Sequence, residues 1–278
     1  MQIKYLNTMI KKYSSLIILI GGILFAQTND LQKNKISNYP KSIEESNTKA
    51  IIKANIIDGY LQEYYTKTFY NPNGYITKRE FYNDSGDLTF TESFSYTKNN
   101  ILEKIEGTNP DENFIIIKDY EYSPNEYREI TSENEIIVKE IIYQLNDNQD
   151  IITEKEINYT GDNQTILKTN DYQGKNRIKT TVNYGKEGYL IYYKYDKSNL
   201  PIEEAIYDLK NKLVSKKRRI FDEKENLIEE NLYDNNGRLK TNSRIIYQYD
   251  ENGNWNKRTQ YANTIEQPIS NTIRTIKY

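Results

Sequence analysis

The chain has 278 residues, with 38 Lys and Arg against 40 Asp and Glu, 27 Tyr, no His and no Cys. Those absences exclude disulfide scaffolds, thiol enzymes, zinc fingers, His-based acid–base catalysis and lipidated-Cys anchors. A formal charge of −2 leaves no electrostatic footprint for nucleic acid. The low mean hydropathy of −0.87 points toward disorder, but the many Tyr, strong strand formers that disordered chains lack, argue against it.

The first 26 residues have the form of a secretory signal peptide. Lys4, Lys11 and Lys12 supply the positive start, and Leu16 to Phe25 an apolar core interrupted by Gly21 and Gly22. Ala26 before Gln27 offers a cleavage point, and the core is too short for the ~20 residues of a membrane helix. Cleavage there removes three Lys and no acid, so the mature chain carries 35 minus 40, or −5. Export to the periplasm, the cell surface or the medium is therefore expected, with no spanning segment after signal removal. Residues 27–50 are polar, contain Pro40, and read as a flexible leader.

Residues 51–278 read as one β domain built on a repeating beat. An aromatic residue is followed six positions later by an apolar one at Tyr70 and Ile76, Tyr82 and Leu88, Tyr96 and Leu102, Tyr172 and Ile178, and Tyr184 and Leu190. The beat continues at Tyr207 and Leu213, Phe221 and Leu227, Tyr233 and Leu239, and Tyr249 and Trp255. The fourth position after each aromatic is Gly74, Gly86, Asn100, Asn176, Gly188, Asn211, Glu225, Gly237 or Gly253, all but Glu225 residues that tolerate positive φ. That spacing predicts a type I turn followed by one left-handed residue, closing a hairpin between the first and fifth positions. Asp208, Asp222, Asp234 and Asp250 suit the turn start, where a carboxylate accepts backbone N–H groups. Glu225, beside Asn226, suggests a loop one residue longer.

Aromatics spaced 12 residues apart leave room for a strand and a tight turn but not for a helical crossover, so neighbouring strands must be antiparallel. The expectation is an all-β fold: an extended antiparallel β-meander of twelve to fourteen strands, forming a single twisted layer or a loosely curled sheet. The beat weakens between Ile105 and Gln164, where Phe114 to Ile117 and Ile136 to Val138 remain as strand cores. Extending each aromatic pair without interruption sets Arg219 against Glu229, Arg218 against Glu230 and Lys78 against Glu92. Charges then occupy both faces, unlike the one-sided pattern of a sandwich.

The segments YDNNGRL (Tyr233 to Leu239) and YDENGNW (Tyr249 to Trp255) resemble the YD repeat of RHS-type bacterial cell-surface proteins. Looser copies are YNPNGYI, YNDSGDL, YDLKNKL and FDEKENL, so the likeness runs over about residues 64–261. The resemblance implies β-sheet spirals that enclose a toxin or display binding surfaces. This chain is much shorter than such shells, and after the repeats it ends in the strand-like Asn271 to Tyr278.

No phosphate-cradling loop, dinucleotide fingerprint or nucleophile elbow occurs, and no cofactor or metal is expected. Glu203 and Glu204, like Glu229 and Glu230, point to opposite strand faces and form no local pair. The Asp-x-Asn-Gly turns supply too few oxygens for calcium. Tyr189, Ile191, Tyr193 and Tyr195 share one face of a strand, either packed on neighbouring strands or offering contact area to a ligand. The functional expectation is a non-catalytic exported scaffold or binding module for an extracellular glycan or protein, with Tyr189, Tyr193 and Tyr195 as contacts. The alternatives are a carboxylate-based extracellular glycoside hydrolase and a structural remnant of an RHS-type system.

Overall fold

A five-residue turn, used again and again, shapes the molecule. The computed structural model describes residues 29–53, 56–161, 164–262 and 266–278, and the expected signal peptide lies outside them. In nine turns among the described residues the first N–H bonds to the fifth carbonyl and the fourth N–H to the first, as in Asp250 with Asn254 and Gly253 with Asp250. The fourth residues are Gly74, Gly86, Asn100, Gln149, Asn199, Asn211, Glu225, Gly237 and Gly253, with φ between 59 and 87°. The first residue secures the loop: Asp222 Oδ1 accepts from the N–H groups of Lys224 and Asn226, and Asp234 Oδ1 from those of Asn236 and Arg238. Glu225 occupies the same five-residue turn as the others, with φ 61°, rather than a longer loop.

Two expected members of the series turn differently. At Tyr172 the left-handed residue is Gly174 and at Tyr184 it is Gly185, each opening a two-residue connection. Gly188 is a correction: it lies inside a strand opposite Asn183, because the turn falls three residues earlier than the spacing predicts.

These turns join eighteen strands. They are β1 (Ser42–Lys53), β2 (Ile56–Tyr70), β3 (Ile76–Tyr82), β4 (Leu88–Tyr96), β5 (Leu102–Asn109), β6 (Phe114–Ser123), β7 (Glu126–Glu133), β8 (Ile136–Leu145) and β9 (Ile151–Asn158). There follow β10 (Thr165–Gln173), β11 (Asn176–Tyr184), β12 (Glu187–Tyr195), β13 (Pro201–Asp208), β14 (Leu213–Phe221), β15 (Leu227–Tyr233), β16 (Leu239–Tyr249), β17 (Trp255–Ala262) and β18 (Ser270–Lys277). The one described helix, α1 (Asp30–Lys33), precedes them. Within the stretch read from sequence as a leader the structure thus has both α1 and most of β1.

Each strand pairs antiparallel with the next, and β1 pairs with β18 as well as with β2. The sheet is therefore a closed barrel of eighteen strands. This overturns the open meander or curled layer: a single layer is present, but its two edges are zipped together from Ser42 opposite Lys277 to Lys49 opposite Ser270.

The cause of closure is next to the turns. Beside all nine of them the register slips by one: Phe69 faces Lys78 but Tyr70 faces Ile76, leaving Thr77 as an extra residue. Bulges sharpen the right-handed twist and bend the strand, which is how sheets curl into barrels. They also correct the charge register. Beyond the bulge Arg219 faces Glu230, Arg218 faces Asn231, and it is Arg79 that faces Glu92.

Cross-strand partners point to the same side, so the registers carry one face around the whole ring. Nearly all buried strand residues lie on it, among them Ile43, Asn47, Phe81, Tyr127, Tyr143, Asn170, Val182 and Thr272. Curvature crowds the concave side, so this is the inner wall. Outward lie Ile220, Ile246 and Ile273, all exposed, together with many charges.

Gly237 tests the turn. A Cβ there meets nothing within 4 Å, so Gly237→Val costs only backbone strain at φ 77°. The expected loss is about 1–2 kcal/mol in urea unfolding, with Gly237→Asn close to neutral.

Candidate functional site

The bulges decide where the repeated aromatics point. In a regular strand, residues an even number apart share a face, but one extra residue reverses the alternation. Aromatics on either side of one of these bulged hairpins therefore end on opposite walls, as Tyr70 and Tyr82 do. At one mouth of the barrel the residues at the feet of the eight hairpins point inward: Tyr70, Tyr96, Tyr122, Leu145, Tyr172, Tyr195, Phe221 and Tyr249. At the other mouth Tyr82, Tyr207 and Tyr233 point outward, while Tyr184, beside the unbulged connection to β12, points inward. One mouth thus has an aromatic inner rim, interrupted only by Leu145.

A strap, residues 29–41, lies across part of that mouth. The Asn29 side chain caps α1, with Gln32 returning the bond. Asp30 Oδ2 accepts from the Ile76 N–H at 2.8 Å and from the Tyr96 hydroxyl at 3.1 Å. Leu31 is 1% exposed, and its N–H donates to the Gly74 carbonyl. Farther along, Lys35 pairs with Glu225, the Ser37 N–H donates to Asn254 Oδ1 at 2.7 Å, and Asn38 Nδ2 donates to Asn252 Oδ1 at 2.7 Å. These contacts fall on hairpins β2–β3, β14–β15 and β16–β17 and on the end of β4. The arc from β6 to β13 is left uncovered by them.

The uncovered arc carries two aromatic groups. Tyr122, Tyr127 and Tyr143 stack across β6, β7 and β8, with centroids 5.9 and 4.2 Å apart and the second pair nearly parallel at 12°. Farther round, Tyr193 and Tyr195 face inward, half-buried, and Tyr189 lies deeper on the same wall, edge-on to Tyr184 at 6.3 Å. Arg177 stands opposite Tyr172, its guanidinium 4.8 Å above the Tyr193 ring. The Tyr195 hydroxyl donates to the Arg177 carbonyl at 2.9 Å and the Tyr172 hydroxyl to the Ile151 carbonyl at 3.0 Å. The phenols are thus anchored by their hydroxyls. Sequence reasoning placed the three tyrosines on one face; it passed over Arg177 and the Tyr122 stack, because neither is aligned until the bulged registers are known.

Below the rim the wall is lined with ion pairs. Arg79 contacts Glu92 at 3.2 Å, Lys118 Glu129 at 3.2 Å and Lys139 Glu156 at 3.3 Å, while Lys168 pairs with Glu154. Arg219 lies between Glu230 and Glu204 at 3.1 and 3.4 Å, and Arg274 meets Glu45 at 2.6 Å. Burial pushes the Glu92 carboxyl up despite Arg79. Glu203, by contrast, faces outward between Lys194 and Arg218, apart from the inward Glu204. No group of three or more carboxylates that could hold a metal ion occurs among the described residues.

The outer wall is charged at mid-strand as well. Glu44 contacts Lys67 at 3.6 Å, Lys78 contacts Glu80 at 2.7 Å, and Arg128 contacts Glu126 and Glu140 at 2.9 and 3.6 Å. A barrel in lipid presents an apolar outer band about 25 Å tall, where each Lys or Arg costs roughly 2–4 kcal/mol at mid-depth. The charges at mid-strand on this wall do not match such a band. No described helix is long and apolar enough to cross a membrane.

Among solved structures, a porin-like protein from Bacteroides uniformis is similar over 86% of this chain and 96% of its own, at 12% identity and a TM-score of 0.46. The TcdB2-TccC3-Cdc42 complex matches 78% of this chain at 13% identity and a TM-score of 0.34, and TcdB2-TccC3 without its hypervariable C-terminal region matches 80% at 14% and 0.34. This chain spans only 14 and 15% of those two. With scores below 0.5 the architecture rests on the strand pairing above. No family model and no curated protein matches the sequence.

The inner wall has a measurable alkaline signature. Burial pushes the Tyr64, Tyr70 and Tyr122 phenols up to about 12, and those of Tyr96, Tyr120, Tyr127 and Tyr143 higher still. A phenol whose pKa is raised on folding contributes stability below ~10, its unfolded value, and loses it as pH climbs toward the folded value. Melting temperature should hold to pH 9 and fall between pH 10 and 12, with tyrosinate absorbance near 295 nm rising together with unfolding.

Proposed function

We propose that the protein is an exported, non-catalytic barrel scaffold that binds an extended extracellular glycan along the uncovered arc of its aromatic mouth. The observation that carries this reading is the inward ring of hairpin-foot aromatics at that mouth, against the one inward Tyr184 among the repeat aromatics of the other. Tyrosine combines a flat apolar face with a polar edge, which suits the faces and hydroxyl rims of sugar rings. The Tyr193 and Tyr195 rings are half-buried and pinned at their hydroxyls, so little side-chain freedom remains to be lost on binding.

Turnover finds less support on the wall. A glycoside hydrolase needs one carboxylic acid held protonated and a second carboxylate across the bond. Here Glu154, Glu156, Glu129, Glu204 and Glu230 each contact a cation, as does Glu92, although burial pushes up the carboxyls of Glu92 and Glu133.

A glycan array with the full chain beside Tyr193→Ala and Tyr195→Ala tests the reading. Binding should weaken at least ~10-fold in each variant, with no new reducing ends on prolonged incubation. Binding that survives both substitutions would remove this site, and accumulating reducing ends would favour the hydrolase. The charged outer wall further predicts recovery of the protein from the soluble fraction without detergent, and exclusive recovery in detergent would sink that part.

A further inference from the structure

We infer that Arg177, with the rings of Tyr172, Tyr193 and Tyr195, forms a carboxylate-binding subsite, so that the ligand is an acidic saccharide bearing uronate groups. The inference rests on the glycan reading above and narrows it to one chemical class.

Arg177 differs from the other inner-wall arginines. Arg79, Arg219 and Arg274 each contact a carboxylate within 3.4 Å. Arg258 donates to Thr272 Oγ1 at 3.2 Å and lies over Trp255 at 5.9 Å. Arg177 is exposed, its guanidinium lies over the Tyr193 ring, and among the described residues it forms no ion pair.

The acids that could neutralise it are committed elsewhere. Asp171 points outward to Lys179 at 3.6 Å. Glu204, opposite Tyr193, is held by Arg219 at 3.4 Å. Asp150, in the neighbouring turn, accepts from Asn146 Nδ2 at 3.2 Å. Arg258 apart, the inner-wall cations named above come with their anions, and at the rim the anion is missing from the described residues.

The chemistry of the gap is specific. A guanidinium stacked on a ring keeps its in-plane N–H groups free, and its fork matches a carboxylate in a bidentate pair. Stacking also fixes the side chain in advance, which lowers the ordering cost of binding. Tyr193 and Tyr195 lie two residues apart, about 6.6 Å along the strand, and Tyr172 stands two strands away, about 9.6 Å. A chain of sugar rings can therefore lie over the tyrosines while one ring's carboxylate meets Arg177.

The test is calorimetric titration of the full chain with hexamers of galacturonate, mannuronate and hyaluronan, each beside its carboxyl methyl ester, and with hexaglutamate as an acidic peptide. At least one uronate hexamer should bind ~10-fold or more tightly than its ester. Arg177→Gln should erase that preference while leaving affinity for the ester within twofold, and Arg177→Lys should restore part of it. Tyr193→Ala should weaken acid and ester alike. Because Arg177 is exposed, an unchanged melting temperature of Arg177→Gln verifies folding. Equal binding of acids and esters, a preference that survives Arg177→Gln, or hexaglutamate binding as well as the uronates would overturn the subsite while leaving the glycan reading standing. Failure of every saccharide, esters included, would overturn both.

Discussion

Everything distinctive about this barrel depends on a steric fact about one turn position. The fourth residue of each five-residue turn must take positive φ, and the turn so formed delivers the chain into the next strand with one residue too many. The bulge that absorbs this residue bends the sheet, reverses the alternation of side chains and shifts the charge register. Curvature, the inward aromatic rim and the pairing of Arg219 with both Glu204 and Glu230 are three results of the same local event.

A closed sheet with charges on both walls cannot draw its stability from a dry core of the usual kind. Its largest described cluster of buried apolar side chains is small, comprising Tyr127, Ile141, Tyr143 and Leu145 with Ile151 against it. Most of the cohesion must come from uninterrupted backbone ladders and from stems of long side chains laid over neighbouring strands. The ion pairs add specificity more than energy, since partly exposed pairs contribute typically below 1 kcal/mol each. Charge on the inner wall nonetheless sets register firmly: a slip of one residue would place Arg79 beside a neutral side chain in place of Glu92.

Seven of the nine five-residue turns were legible in the sequence because turn chemistry is local and Gly, Asn and Asp advertise it. The Asn146 and Asp196 turns escaped notice, the first because Leu145 replaces the aromatic and the second because Pro201 occupies the sixth position. Closure was not legible. It arises from the sum of small bends at nine bulges, and the residues that mark each turn carry no measure of how those bends add around a ring. Tyr189, Tyr193 and Tyr195 could be placed on a common face because the register shift beside Tyr195 puts its extra residue, Ile202, on β13 and leaves β12 regular. Arg177 could not be joined to them, because a register shift at Asp171 and Tyr172 decides which wall it serves.

The seam between β1 and β18 has a kinetic consequence. Glu45 and Arg274 are 229 residues apart, and bringing such distant points together in a disordered chain costs on the order of 5 kcal/mol in loop entropy. Each hairpin, by contrast, closes over a handful of residues. Folding should therefore proceed by lateral growth of hairpins, with the seam the last ladder to form. Until that moment the nascent sheet carries two raw edges, and each can pair with another molecule as readily as with its own far end. The same zipper that makes the finished ring edgeless makes its penultimate state the one most exposed to domain exchange, and dilution during refolding should favour rings over chains of linked molecules.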